Sequence, residues 1–107
     1  MNKYTKLSDF EINKKVARIR LTDGNYGWCA HTGLVKRYVT DDKGLCMTYD
    51  PCNNPSDAMP IIIENGISMV RVNSTWSARQ FNNHCIEING DSYYRIAMEV
   101  YLLMNGK

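Results

Sequence analysis

The run Ser92 to Met104, SYYRIAMEVYLLM, limits what this chain can fold into more than any other stretch. From Tyr93 to Met104 only Arg95 and Glu99 carry charge, and they stand four residues apart. On a helix that spacing puts both on one narrow face. Tyr93, Ile96, Val100 and Leu103 form one side, and Tyr94, Met98, Tyr101 and Leu102 the others. A surface helix shows a single apolar stripe, so a helix that is apolar on most sides must be covered on most sides. Two arrangements achieve this: a central helix wrapped by its own domain, or a helix buried against a second copy in a homodimer. The Arg95–Glu99 pair is expected on the exposed strip, where an ion pair in this order adds little.

At 107 residues the chain is expected to form one domain spanning 1–107. The polar N-terminus lacks the apolar core of a secretory signal. The run Ile96 to Met104 is interrupted by Glu99 and falls short of the roughly 20 residues that cross a bilayer. A cytoplasmic protein with no membrane partner is therefore expected, with Cys29, Cys46, Cys52 and Cys85 as reduced thiols.

The rest of the chain alternates helix and strand signals. Ser8 followed by Glu11 has the capping-box spacing, and Ile12, Val16 and Ile19 repeat at helical intervals, so residues 7–19 read as a helix. Its other face is basic, with Lys14, Lys15 and Arg18. Trp28 to Ala30 can open a strand. Leu34–Val39 and Leu45–Tyr49 read as a hairpin around the polar loop Thr40–Gly44. The stretch Asp50 to Pro60, DPCNNPSDAMP, holds all three prolines. Ser56 is expected to cap a short helix ending at Asn65-Gly66, with Pro60 at its fourth position. Ile67–Val72 and Thr75–Phe81 form a second hairpin about Asn73-Ser74. Cys85–Ile88 is a short edge strand, Asn89-Gly90 a turn, and Asp91 or Ser92 the last cap. The expected fold is α+β: an antiparallel sheet of two hairpins sharing one surface, packed by an N-terminal, a short middle and a C-terminal helix.

No Cys-x-x-Cys, nucleophile elbow, phosphate-binding glycine loop or His-Glu metal helix is present. Cys29 with His31, Cys46 with Cys52, and adjacent His84-Cys85 are poorly spaced for zinc, so buried reduced thiols are the simpler reading. No metal, no cofactor and no catalytic residue are therefore expected, and the chain reads as a non-enzyme. The net charge of +2 does not mark a nucleic-acid binder by itself.

Two binding surfaces compete. The first is the proline-held loop. Asp50, Asn53, Asn54 and Asp57 crowd polar groups between Tyr49 and, in the expected sheet, Trp76 and Arg79. The bland alternative is that these side chains only satisfy turn backbone. If they recognise a partner, Asn53→Ala, Asn54→Ala or Trp76→Ala should abolish the protein's biological effect and leave the thermal midpoint nearly intact. The second surface is a nucleic-acid face, with Lys14, Lys15 and Arg18 on the first helix and Arg71, Arg79, Trp76 and Tyr49 on the sheet. Its alternative is a solvated basic helix face with Trp76 in the core.

Three stretches together resemble one family: YTKLSDFEINKKVA (Tyr4–Ala17), YDPCNNPSDAMPIIIENGIS (Tyr49–Ser68) and YYRIAMEVYLLMNG (Tyr93–Gly106). They look like the NinX-type accessory proteins of lambdoid bacteriophages, a family without assigned chemistry. The resemblance covers around half of the chain and implies a phage or prophage origin and action in the host bacterial cytoplasm. It carries over no catalytic residue. With it, the expectation is stoichiometric binding of a host protein or a small signalling molecule, in the manner of counter-defence, with nucleic acid as the alternative target.

Overall fold

The computed structural model describes residues 3–39, 44–82 and 85–106. The loop predicted at Thr40, Asp41, Asp42 and Lys43, the Asn83 loop position and the His84 metal candidate lie outside the described residues.

Helix α1 (Asp9–Arg20) starts where its cap places it. The Ser8 hydroxyl accepts the Glu11 N–H at 3.1 Å, and the Glu11 carboxylate accepts the Ser8 N–H at 3.4 Å. Ile12, Asn13, Val16 and Ala17 form its buried stripe. The first sheet follows, with β1 (Tyr26–Cys29), β2 (Leu34–Tyr38) and β3 (Cys46–Thr48) antiparallel in that order. Within these strands only Val35 is buried, opposite Trp28, where β2 packs on α1.

Helix α2 spans Pro55–Glu64 and begins earlier than Ser56 suggests. Asn54 is the cap: its side-chain oxygen accepts the Ser56 N–H at 3.0 Å, and Pro55 takes the first helical position. Proline is suited to that place because its fixed φ is already helical and its missing N–H would have been unpaired. Pro60 then lies well inside the helix, and Gly66 at φ 62° ends it in the left-handed conformation.

The second sheet is also antiparallel, with β4 (Ser68–Val72), β5 (Thr75–Gln80) and β6 (Ile86–Gly90) in order. Asn73 makes the β4–β5 turn with φ 55°, a conformation asparagine tolerates. Asn89 and Gly90 are not a turn. They pair with Ser77 and Trp76 and complete β6. Gly90 serves close packing: a Cβ there would lie 2.9 Å from the Ile96 side chain.

Helix α3 (Tyr93–Met104) is the centre of the molecule. Every residue from Ile96 to Leu102 is buried. It packs on β5 and β6 with one side and on α1 and α2 with others. One sheet with helices on a single face, as the patterning suggested, would leave such a helix partly bare. The strands instead divide into two sheets, and α1 carries the first sheet outward through β2. The α+β class stands, and from Ile96 to Leu102 α3 is covered by its own chain. The resulting molecule is elongated, with principal extents of 45 × 27 × 22 Å. Among the described residues no helix is long and apolar enough to cross a membrane.

Candidate functional site

The loop after β3 is held by side chains from α1 and α2, and through Asp9 by Arg95 of α3. Asn13, buried on α1, donates from Nδ2 to Asp50 Oδ1 at 2.8 Å and accepts the Cys52 N–H at 3.1 Å. Asn53 Nδ2 donates to both Asp50 oxygens and to Asp9 Oδ2, at 3.1 to 3.2 Å. Asp57 accepts the Asp50 N–H at 2.9 Å. Asp9 in turn receives Arg95 Nη1 at 2.6 Å. Arg95 also donates Nε to Glu99 at 2.7 Å and Nη2 to the Tyr4 and Leu7 carbonyls at 3.0 and 2.7 Å.

The two charges of α3 are therefore not on an exposed strip. Their side chains are 13% and 6% exposed, and they tie the segment before α1 and the loop to the central helix. Burial lowers the Arg95 pKa, but the hydrogen bonds to Asp9 and Glu99 outweigh it and raise the value overall.

This network explains where the expected recognition residues go. Asp50, Asn53, Asn54 and Asp57 are used to shape the loop and cap α2. Tyr49 is buried, and that burial pushes its hydroxyl pKa to about 12. The remaining two residues of that surface are elsewhere. Trp76 and Arg79 lie on β5 of the second sheet, on opposite faces because they are three residues apart. Trp76 is half-buried, edge-on to Tyr93 at 4.8 Å, with the Arg71 guanidinium 4.9 Å above it. Arg79 pairs with Glu87 at 3.4 Å and donates to Ser77 at 3.0 Å. The single cationic and aromatic sheet surface expected from Tyr49, Arg71, Trp76 and Arg79 does not form, because Tyr49 belongs to the other half of the molecule.

Two concavities flank the loop. A cleft of about 430 Å³ is lined by Tyr49, Asn54 and Asp57 together with Arg20 and Arg37. Arg20 grips Glu64 with both terminal nitrogens at 2.9 and 3.1 Å, and this holds the Glu64 carboxyl below its usual range. A smaller pit of about 140 Å³ holds Asp50 and Asn53 beside Asp9 and Asn13.

A third cleft, of about 280 Å³, lies on the other side of α1. Lys14, Lys15 and Arg18 line it with Glu11, and Tyr26 and Trp28 of β1 form its aromatic wall. Strand alternation places Tyr26 and Trp28 on the same face, with ring centroids 6.1 Å apart. Lys14 Nζ sits 4.7 Å from the Trp28 centroid and 5.2 Å from that of Phe10, one helical turn before it. Trp28 nevertheless remains 53% exposed. The basic helix face read from the sequence is thus joined to an aromatic wall, but the tryptophan is Trp28 rather than Trp76. The only local signal was a tryptophan in a short strand without an apolar alternation around it.

The cysteines depart from the buried reading as well. Cys52 alone is buried, and burial pushes its thiol pKa up. Cys29 and Cys46 fall on the outer face of the first sheet by register, and Cys85 is exposed before β6. Among the described residues no group of three or more His, Cys, Asp and Glu side chains is placed to hold a metal ion.

The family model described as "Bacteriophage P22, NinX" matches residues 3–105. No curated protein and no solved structure matches the chain.

Proposed function

We propose, for a chain that belongs to the bacteriophage P22 NinX family, a non-enzymatic role as a stoichiometric binding protein whose contact surface is the cleft between α1 and β1. Family membership makes it a phage accessory protein. The observation that carries the binding role is the half-exposed Trp28 under Lys14, with Lys15 and Arg18 on the same rim. An indole half in water gives a flat ring something to stack on. Three cations against one carboxylate favour an anionic ligand. A ligand carrying both a flat ring and a phosphate, which is to say a nucleotide unit, satisfies both requirements.

This keeps the stoichiometric mode of action and moves its surface. The loop 49–60 supports the fold, and its polar side chains are engaged in holding it. The basic face of α1 takes over the recognition role, as in the nucleic-acid alternative.

Native mass spectrometry on protein purified from bacterial cells tests the reading. A retained mass matching nucleotide units should disappear on denaturation and be missing from Trp28→Ala. The thermal midpoint of that variant should stay close to the parent's, because half of the indole is already in water. If Trp28→Ala keeps the bound mass, or if the parent neither retains nor takes up any nucleotide, the reading fails.

A further inference from the structure

The cleft at Trp28 does not end at its basic rim. Lys15 and Arg18 also line a second concavity, of about 400 Å³, whose other walls are Ile19 and Asn105. The two spaces therefore share one cationic ridge: Lys15 and Arg18 stand three residues apart on one side of α1. A ligand of one ring and one phosphate occupies the first space and reaches the ridge. It leaves the second space empty.

The chemistry of the second space differs from the first. Ile19 lies in the last turn of α1, and Asn105 is the C-cap of α3. Both helices present their carbonyl ends there, which disfavours a phosphate and favours hydrogen-bond donors. The Asn105 amide donates to the Tyr101 carbonyl at 2.7 Å, and its oxygen is left as an acceptor. An apolar side chain beside acceptors suits the ring and an N–H edge of a second base, such as N3–H of thymine.

We propose that the ligand, on the reading given above, is two nucleotide units joined by a phosphodiester. One base stacks at Trp28, the bridging phosphate lies on Lys15 and Arg18, and the second base enters the space at Ile19 and Asn105. Such a ligand comes either from a single-stranded nucleic acid or from a free dinucleotide.

Titration of the purified protein with thymidine monophosphate, the dinucleotide dTpT and an eight-residue oligothymidine separates these cases. The dinucleotide should bind about tenfold or more tightly than the mononucleotide, because its second base is buried against Ile19. Asn105→Ala and Ile19→Ala should each reduce that gain while leaving mononucleotide affinity unchanged. The charge-reversing pair Lys15→Glu and Arg18→Glu should remove binding of both and flatten the dependence on salt. An octamer tighter than dTpT assigns the source to a nucleic-acid strand, and equal affinities assign it to a free dinucleotide. Mononucleotide binding that needs Trp28 but gains nothing from the second unit overturns the two-space inference alone. Absence of any Trp28-dependent binding overturns the reading of the cleft as well.

Discussion

Arg95 shows how much one side chain can hold. Its guanidinium pairs with Glu99 on α3 and joins the helix to Asp9 and to three carbonyls of the segment before α1. Five fixed N–H donors suit this task, and a lysine ammonium cannot reproduce the fork. Arg95→Met would remove the guanidinium from the buried Glu99 carboxylate, so a loss of about 3 to 5 kcal/mol is expected in urea denaturation. Arg95→Lys keeps the charge and should fall between the parent and Arg95→Met. Equal stability of all three would show that the network is ornamental. Nothing local in the sequence reveals this role, because Arg95 and Asp9 are 86 positions apart. The i,i+4 pairing with Glu99 was legible; its burial was not.

At the scale of elements, legibility follows the range of the forces involved. The α1 start was readable because a capping box is closed within four residues. The α2 start was misread by two positions because two capping residues compete there, and Pro55 decides for Asn54. Asn54→Ala should therefore cost about 1 kcal/mol, whereas Ser56→Ala should change little. A pair of thermal or chemical melts checks this, and the reverse ranking would restore Ser56 as the cap. The same geometry predicts that alanine at Asn53 or Asn54 lowers the thermal midpoint, contrary to the expectation from the sequence. Asn89-Gly90 was misread for a different reason. Glycine there answers to Ile96 of α3 pressing on the strand, and an Asn-Gly pair carries no mark that distinguishes this use from a turn.

The whole molecule carries its own pH dependence. Burial raises the pKa of the Cys52 thiol, of Tyr49 to about 12, and of the Tyr101 hydroxyl. All three are neutral when protonated. As pH rises past their ordinary values, the unfolded chain loses these protons while the folded chain keeps them. Stability is thus fully present at neutral pH and should fall from about pH 9 upward. Tyr49→Phe removes one of these groups and should retain up to about 2 kcal/mol more of its stability between pH 10 and 12 than the parent does. Thermal midpoints measured across that range decide it, and parallel curves for the two proteins would contradict it. The same scale determines the binding surface. The α1 cleft exists only because the first sheet is carried outward on α1 and brings β1 against its basic face.

The chain's own order of residues determined most of the elements, the α+β class, the need to cover the last helix on most sides and the basic face of the first. Each of these depends on spacings within a few residues, through helical periodicity, strand alternation and capping bonds. Tertiary structure decided what lies between elements. It split the strands into two sheets, buried the Arg95–Glu99 pair, turned the polar loop into a brace and set Trp28 beside Lys14. These outcomes depend on which surfaces meet. A helix that must be covered from several directions recruits partners from distant parts of the chain, and no local pattern encodes which partners arrive.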